Sequence, residues 1–334
     1  MKRGLASYIA TTFVLAFVAC IQVKSQLPTD DSAWQQYQHI LRYSTLEWLH
    51  TEPFLLKVEY QLYDLDGKPV EKGVAEESWT ESGEKHVRIQ SPSLVIGEAP
   101  PADEYAVHTR ENYLVHQALS ALSRPFPSPI EYKNFAVYEF HQTIAGRELG
   151  CFSLVEPGQA RTPDTLAYCT DEDNHITTMT GPLFVIERSD FRKILEHEIP
   201  NELKLSYEGK PAITLHVTEL DSLAVTSVPK SEPKSESAST YLPGEVVAGL
   251  ILKSKEPKYP ALAKAAHMEG AVLLTAIITK QGTIAGMDVI ASPHKILTQS
   301  AKDAVQNWIY RPYLLNGLRT EVETTITVNF AFAK

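Results

Sequence analysis

Cys151 and Cys169 are the side chains of this sequence best placed to form a bond of their own. Each sits in or beside an apolar, strand-like run, Cys151-Phe152-Ser153-Leu154-Val155 and Leu166-Ala167-Tyr168-Cys169. Turn-forming clusters, Glu156-Pro157-Gly158-Gln159 and Arg161-Thr162-Pro163-Asp164, lie between them. Two strands folded back on one another would bring the thiols together, and in an oxidising compartment they would pair. Two buried free thiols are the alternative. Three cysteines in all are too few for a disulfide scaffold and lack metal-site spacing. Glu196-His197-Glu198 is the nearest metal-like cluster, but adjacent residues on a helix do not face one another, which leaves a solvated surface. Asp171-Glu172-Asp173-Asn174-His175 lacks the Gly and the terminal Glu of a calcium loop and reads as a hairpin turn. There is no Gly-x-Ser-x-Gly, no His-Glu-x-x-His and no glycine-rich phosphate loop. The expectation is a protein that is not an enzyme, with no metal site and no cofactor.

The elements that must position these residues are set by length and composition. A chain of 334 residues with 43% hydrophobic and 22% charged residues is globular and has room for about two domains. The net charge of −10 is uneven: residues 243–334 carry +3 and the remainder −13. An acidic bulk excludes general nucleic-acid binding, which needs clustered Lys and Arg.

Lys2 and Arg3 precede an uncharged run from Gly4 to Val23, the pattern of an export signal. Three outcomes are open. Signal peptidase could cut after Val23-Lys24-Ser25; Phe17-Val18-Ala19-Cys20 is a weak lipobox; or the twenty uncharged residues stay as a membrane anchor. Residues 1–25 are therefore a signal peptide or an anchor, and each outcome places the rest outside the cytoplasm.

Residues 27–225 read as a mostly β domain. A helix is expected over Ala33–Leu49, and a strand over Phe54–Tyr63, where Leu56, Val58, Tyr60 and Leu62 alternate with Lys57, Glu59 and Gln61. Asp64-Leu65-Asp66-Gly67 signals a hairpin turn. Strands follow near 70–80 and 85–91, a helix over 111–122, then strands near 135–144, 150–155, 165–170, 175–179, 203–207 and 212–220. Repeated strands with short turns predict a curved antiparallel sheet or an open barrel. Residues 226–242 form a linker, because Pro229-Lys230-Ser231-Glu232-Pro233-Lys234-Ser235-Glu236 has nothing large and apolar to bury.

Residues 243–334 form a small α+β unit: a helix over Ala261–His267, strands over Ala271–Thr279 and Ile284–Ala291, a helix from Leu297 to Trp308, a tight turn at Asn316-Gly317 and a last strand. The fold class is thus α+β, a mainly antiparallel curved sheet followed by a small mixed layer.

This last unit resembles the C-terminal domain of TonB-family energy transducers. The resemblance rests on Tyr259-Pro260-Ala261 with Ala263, Glu269-Gly270, Gly282, Ser292, Leu297, Ala301 and Ala304, then Trp308-Ile309-Tyr310-Arg311-Pro312, Asn316-Gly317 and Val328-Asn329-Phe330. It implies that the domain pairs with an extended segment of an outer-membrane transporter or another envelope protein by strand addition. The strand would be Glu321–Phe332, with Glu321, Glu323, Thr325, Thr327 and Asn329 at the contact and Glu256, Lys258 and Tyr259 nearby. Inner-membrane motor proteins are a further implied partner, and a homodimer through the same edge is the rival use. Glu256 stands where the best-known members carry Gln, Gly4–Val23 has no His for a motor contact, and a folded domain replaces the usual Pro-rich spacer. Proline at Val328 would delete a ladder donor and so test the pairing. The alternative function is a carrier or sensor, with an apolar-ligand cavity in residues 27–225 lined by Leu56, Tyr60, Tyr138 and Phe140.

Overall fold

The computed structural model describes residues 37, 39–40, 42–46, 53–79, 85–92, 95–96, 109–126, 135–155, 158–162, 164–194, 196–222, 240–242 and 244–332. The export segment, the start of the helix expected at Ala33 and the linker up to residue 239 lie outside them. Tyr37, His39, Ile40, Arg42 and Tyr43 are helical.

The alternation in 54–63 produces β1 (Phe54–Tyr63), with Phe54, Leu56, Val58, Tyr60 and Leu62 all buried. The Asp64 turn returns the chain into β2 (Pro69–Trp79): Asp64 Oδ1 accepts the Asp66 and Lys68 N–H groups, and Gly67 takes the left-handed φ of +80°. Gly73 lies opposite Tyr60, and a Cβ there would stand 2.3 Å from the Tyr60 ring, so only glycine lets the ring cross the strand. Next come β3 (Lys85–Gln90), β4 (Val95–Ile96) and helix α1 (Arg110–Ser123), capped by the Thr109 hydroxyl, which accepts the Asn112 N–H.

Seven strands follow: β5 (Ala136–Ile144), β6 (Arg147–Val155), β7 (Ala167–Thr170), β8 (Ile176–Thr180), β9 (Phe184–Ile194), β10 (His197–Tyr207) and β11 (Lys210–Ser222). They join the first four in one antiparallel sheet ordered β4-β3-β2-β1-β11-β10-β9-β8-β7-β6-β5. One sheet face and the buried side of α1 (Leu114, Val115, Ala118, Leu119, Leu122) share a core. Strand β9 departs from the sequence expectation. Its run Glu187-Arg188-Ser189-Asp190 breaks apolar alternation, yet Arg188 is buried. Glu196-His197-Glu198 consequently stands at the β9–β10 turn rather than on a helix.

The tail forms a second sheet, ordered β12-β19-β14-β15, from β12 (Thr240–Tyr241), β14 (Gly270–Ile278), β15 (Ile284–Ala291) and β19 (Val322–Phe330). Three expected strands are joined by a fourth of two residues, which pairs in parallel with Val322 and Glu323. Helix α2 (Gly244–Ala248) follows β12, α3 (Ala261–Ala265) precedes β14, and α4 (Lys295–Val305) buries Leu297, Ala301, Ala304 and Val305. Helix α4 stops short of Trp308, whose indole N–H instead donates to the Lys255 carbonyl at 2.9 Å. A short ribbon pairs β13 (Ile251–Lys253) with β16 (Ile309–Tyr310). A hairpin pairs β17 (Tyr313–Leu315) with β18 (Leu318–Thr320) across Asn316-Gly317, both at positive φ as such a two-residue turn requires.

The two sheets meet at a bulge in β15. Leu274 faces Val289 and Leu273 faces Ala291, so Ile290 is the extra residue. Leu273, Ile290 and Ala291 pack into the core of the large sheet, while Leu274 and Val289 stay in the core of the small one.

Candidate partner-binding edge of the small sheet

A four-stranded sheet has two edges, and here they differ. The C-terminal end of the β15 edge is closed by Arg110 at the start of α1. The Arg110 Nε donates to the Ile290 carbonyl at 2.9 Å, Nη1 donates to the Tyr63 carbonyl at 2.6 Å, and the Arg110 backbone N–H donates to Asp288 Oδ2 at 2.8 Å. Burial pushes the Arg110 guanidinium below its ordinary value, opposed by the charge of Asp288. At the start of β14, the Ala271 N–H bonds the carboxylate of Glu208, which lies in the β10–β11 turn; burial raises that carboxyl above its usual range. Lys295 and Asp66 add an exposed ion pair at 3.2 Å.

The β19 edge is covered only at its start. Leu242 N–H donates to the Glu323 carbonyl at 2.9 Å, and Thr324 Oγ1 donates to the Leu242 carbonyl at 2.8 Å. A Cβ on Gly244 would lie 2.4 Å from the Thr325 carbonyl, so the entry to α2 is pressed against that rung. Backbone groups of alternate residues in a strand point to the same edge. Since Glu323 points outward, so do Thr325, Thr327 and Asn329, while Ile326 and Val328 turn their backbone groups to β14. Among the described residues no strand lies beside Thr327 and Asn329, and both are exposed. The other face of the strand is anchored: Val322, Ile326, Val328 and Phe330 are buried in the small core.

The residues expected at a contact therefore fall into groups. Thr327 and Asn329 carry the open rungs. Thr325 is half-buried at the edge of α2, and Glu323 is 2% exposed beneath the β12 turn. Glu321 is half-buried just before β19. Tyr259 reaches the far end of the strand, edge-on to Phe330 at 5.5 Å and stacked on Phe332 at 5.1 Å, with its hydroxyl donating to the Met268 carbonyl at 2.5 Å. Glu256 and Lys258 are exposed on the segment before it, which is held by Ser300 Oγ donating to the Lys258 carbonyl at 2.5 Å. The sequence missed Leu242 and Gly244, because nothing in a two-residue strand marks its partner eighty residues away.

Residues 255–332 match the family model for the Gram-negative bacterial TonB protein C-terminal. The TonB match covers α3, β14, β15, α4 and β19 and leaves the chain before Lys255 unassigned. No curated protein matches the chain. Among solved structures, a domain assigned to outer membrane lipoprotein sorting from Vibrio parahaemolyticus has a TM-score of 0.35 at 8% identity, covering 57% of this chain and 89% of its own. A DUF1329 family protein from Desulfovibrio piger scores 0.36 at 8% identity, with 59% and 96% covered. A LolA superfamily protein from Nitrosomonas europaea scores 0.33 at 10% identity, with 57% and 94% covered. Likenesses at this level assign no activity to the chain.

The other sequence candidates are placed as follows. Cys151 and Cys169 face each other across β6 and β7 and are joined by a disulfide. Asp171 Oδ1 accepts the Asp173 and His175 N–H groups, which makes the expected turn between β7 and β8. Glu196 pairs with Arg42 at 2.6 Å, His197 Nδ1 lies 3.1 Å from the Arg42 carbonyl, and Glu198 pairs with His175 at 3.0 Å, so the three neighbours serve separate contacts. Among the described residues there is no group of three metal-ligating side chains and no helix long and apolar enough to cross a membrane. The expected cavity lining is divided. Leu56 and Tyr60 lie in the large core, but Phe140 faces Cys151 and shares with Tyr138 the sheet face opposite Val137. Those four side chains cannot line one pocket.

Proposed function

We propose that the β19 edge takes an extended segment of an outer-membrane transporter or another envelope partner as an added strand, and so couples or tethers transport across the envelope. The observation that carries this reading is the pair of open rungs at Thr327 and Asn329 on a strand whose opposite face is locked into a core. A ladder loads several hydrogen bonds at once, which suits a mechanical link and asks for no chemistry of the protein. In this reading residues 27–225 form the large domain, 226–242 a linker whose last residues fold back as β12, and 243–334 the docking module. The site is centred on Thr327 and Asn329, with Thr325 at its covered end and Glu256, Lys258 and Tyr259 at its rim; Glu323, already bonded to Leu242, and Glu321 before it lie outside the open rungs. The TonB match supports an envelope setting, with the chain exported to the periplasm and residues 4–23 as its cleaved signal or anchor.

The test is a proline at Thr327, not at Val328. The Val328 N–H faces β14, so proline there would break the fold itself. Thr327→Pro removes an outward donor and leaves the β14 ladder whole. The full-length variant is assayed for capture of the periplasm-facing N-terminal peptides of outer-membrane transporters, alongside its circular dichroism. At least about tenfold weaker capture by a folded variant is expected; unchanged capture refutes strand addition.

A further inference from the structure

The β17–β18 hairpin is the most apolar protrusion among the described residues. Leu314, Leu315 and Leu318 are 57%, 42% and 73% exposed. They are not one-sided. Leu315 and Leu318 face each other beside the turn, and Leu314 pairs with Arg319 on the other side of the ribbon. The turn residues Asn316 and Gly317 are exposed, and a Cβ on Gly317 would meet no atom within 4 Å. The base is fixed, because Tyr313 packs against the small core and Tyr310 is buried in it. From Ala304 to Thr320 an otherwise acidic chain has no Asp or Glu, and it carries Arg311 and Arg319, both exposed.

We propose that this hairpin is a membrane-surface finger, whose leucine tip enters the interfacial region of an anionic phospholipid bilayer while Arg311 and Arg319 meet the lipid phosphates. A protein groove would cover one side of a ribbon. Leucines on both sides of a ribbon are buried together by an apolar medium that the tip enters, and the Arg319 beside Leu314, with Arg311 and no acids nearby, selects a negatively charged surface. Three side chains give reversible attachment, not insertion across the bilayer. Strand β18 runs directly into the start of β19, the end that β12 already covers. The lipid contact stands without any strand partner.

The full chain is added to phosphatidylcholine vesicles with and without about one-third phosphatidylglycerol. Amide exchange is followed at Tyr313–Thr320, a local readout that attachment elsewhere in the chain does not mimic. Exchange there slows with the anionic vesicles, less with neutral ones, and less again in high salt. In Leu314→Ser/Leu315→Ser/Leu318→Ser, whose altered positions are already exposed and whose thermal unfolding should match the parent, the vesicle concentration for half-protection rises at least about tenfold. Arg311→Gln/Arg319→Gln removes the difference between the two vesicle types. A Leu318→Trp variant adds emission that brominated acyl chains quench. Unchanged exchange at 313–320 in vesicle-bound protein, equal protection in the triple-serine variant, or a serine variant that merely turns a dimer into a monomer in sedimentation would each overturn the proposal. No transporter peptide is present, so failure here leaves the strand-addition reading intact.

Discussion

In the large sheet, one outer strand, β4, is two residues long, and the other, β5, exposes Glu139, His141 and Thr143 along one side. In the small sheet, β19 is nine residues long, anchored by four buried side chains, and shows two open rungs lined by Thr327 and Asn329. A very short edge and a charge on an edge strand both discourage pairing with another chain; β5 is as long as β19 and carries one such charge, Glu139, in its exposed row. The other outer strand of the small sheet, β15, is closed at its C-terminal end by Arg110. Among the described residues the open rungs belong to β19, which lies within the span that matches the TonB C-terminal model.

The sharpest way to break this contrast is to unseal β15. Arg110→Ala leaves the carbonyls of Tyr63 and Ile290 without their donor in a half-buried junction and opens space beside the bulge. The expected loss is about 2–4 kcal/mol in chemical denaturation, from two unpaired acceptors and lost packing. Amide exchange in β15 should rise toward that of the β19 edge. If β15 stays protected, its closure does not depend on Arg110 and the two edges differ for another reason.

The disulfide sharpens the comparison from the opposite side. Cys151 and Cys169 are eighteen residues apart in sequence and lie wholly within the large sheet. Reduction should cost about 3 kcal/mol by releasing the closed loop in the unfolded chain. Thermal unfolding of the large sheet moves down, while exchange in β14 and β19 keeps its midpoint. A parallel drop in both sheets would show that they unfold as one unit through the Ile290 bulge.

Legibility in the sequence divides along the same line. Strands β1 and β19, which bury one face, fall within a residue or two of the expected spans because alternation is imposed by the core, and β2 does so because the Asp64 turn returns the chain into it. Strand β9 was illegible, since Arg188 occupies a core-facing position where the pattern calls for an apolar residue. Strands β12, β13 and β16 are too short to carry any period. The Asn316-Gly317 turn could be read, but not the protruding finger it makes, because exposure depends on what fails to pack there. The β19 strand was visible too. Which of its rungs are open was not, since that depends on Leu242 and Gly244 returning from a distant part of the chain.

Arg188 allows a smaller test of why β9 was missed. It is 2% exposed; Nη1 donates to the Ile176 carbonyl at 3.2 Å, the guanidinium lies 5.7 Å from the Phe191 ring, and among the described residues Nε and Nη2 have no acceptor. Burial alone pushes the guanidinium down to about 9. Because an unmatched buried charge is costly, Arg188→Met should leave stability unchanged or raise it by about 1–2 kcal/mol, the lost bond to Ile176 setting the lower figure. A loss above about 2 kcal/mol would mean that the cation holds β8 against β9 and is not merely tolerated.

The smallest expected effect is at the junction of the sheets. The Asp64 carboxylate is held below its usual range, first by the Lys68 N–H, which outweighs an upward push from burial, and then by the Asp66 N–H and the charges of Lys68 and Lys295. A carboxyl depressed by folding stabilises the native state above its unfolded pKa, and loses that contribution as pH falls through the folded value. Asp64→Asn, which cannot ionise, should therefore differ most from the parent near neutral pH, and the two denaturation curves should converge once pH drops below the ordinary carboxylate range. Lys295 lies on α4 of the small module, so part of the shift crosses from one sheet to the other. Repeating the titration in Lys295→Ala isolates that part: a smaller gap between parent and Asp64→Asn shows that the modules stay docked in solution, and an unchanged gap shows that the turn titrates alone.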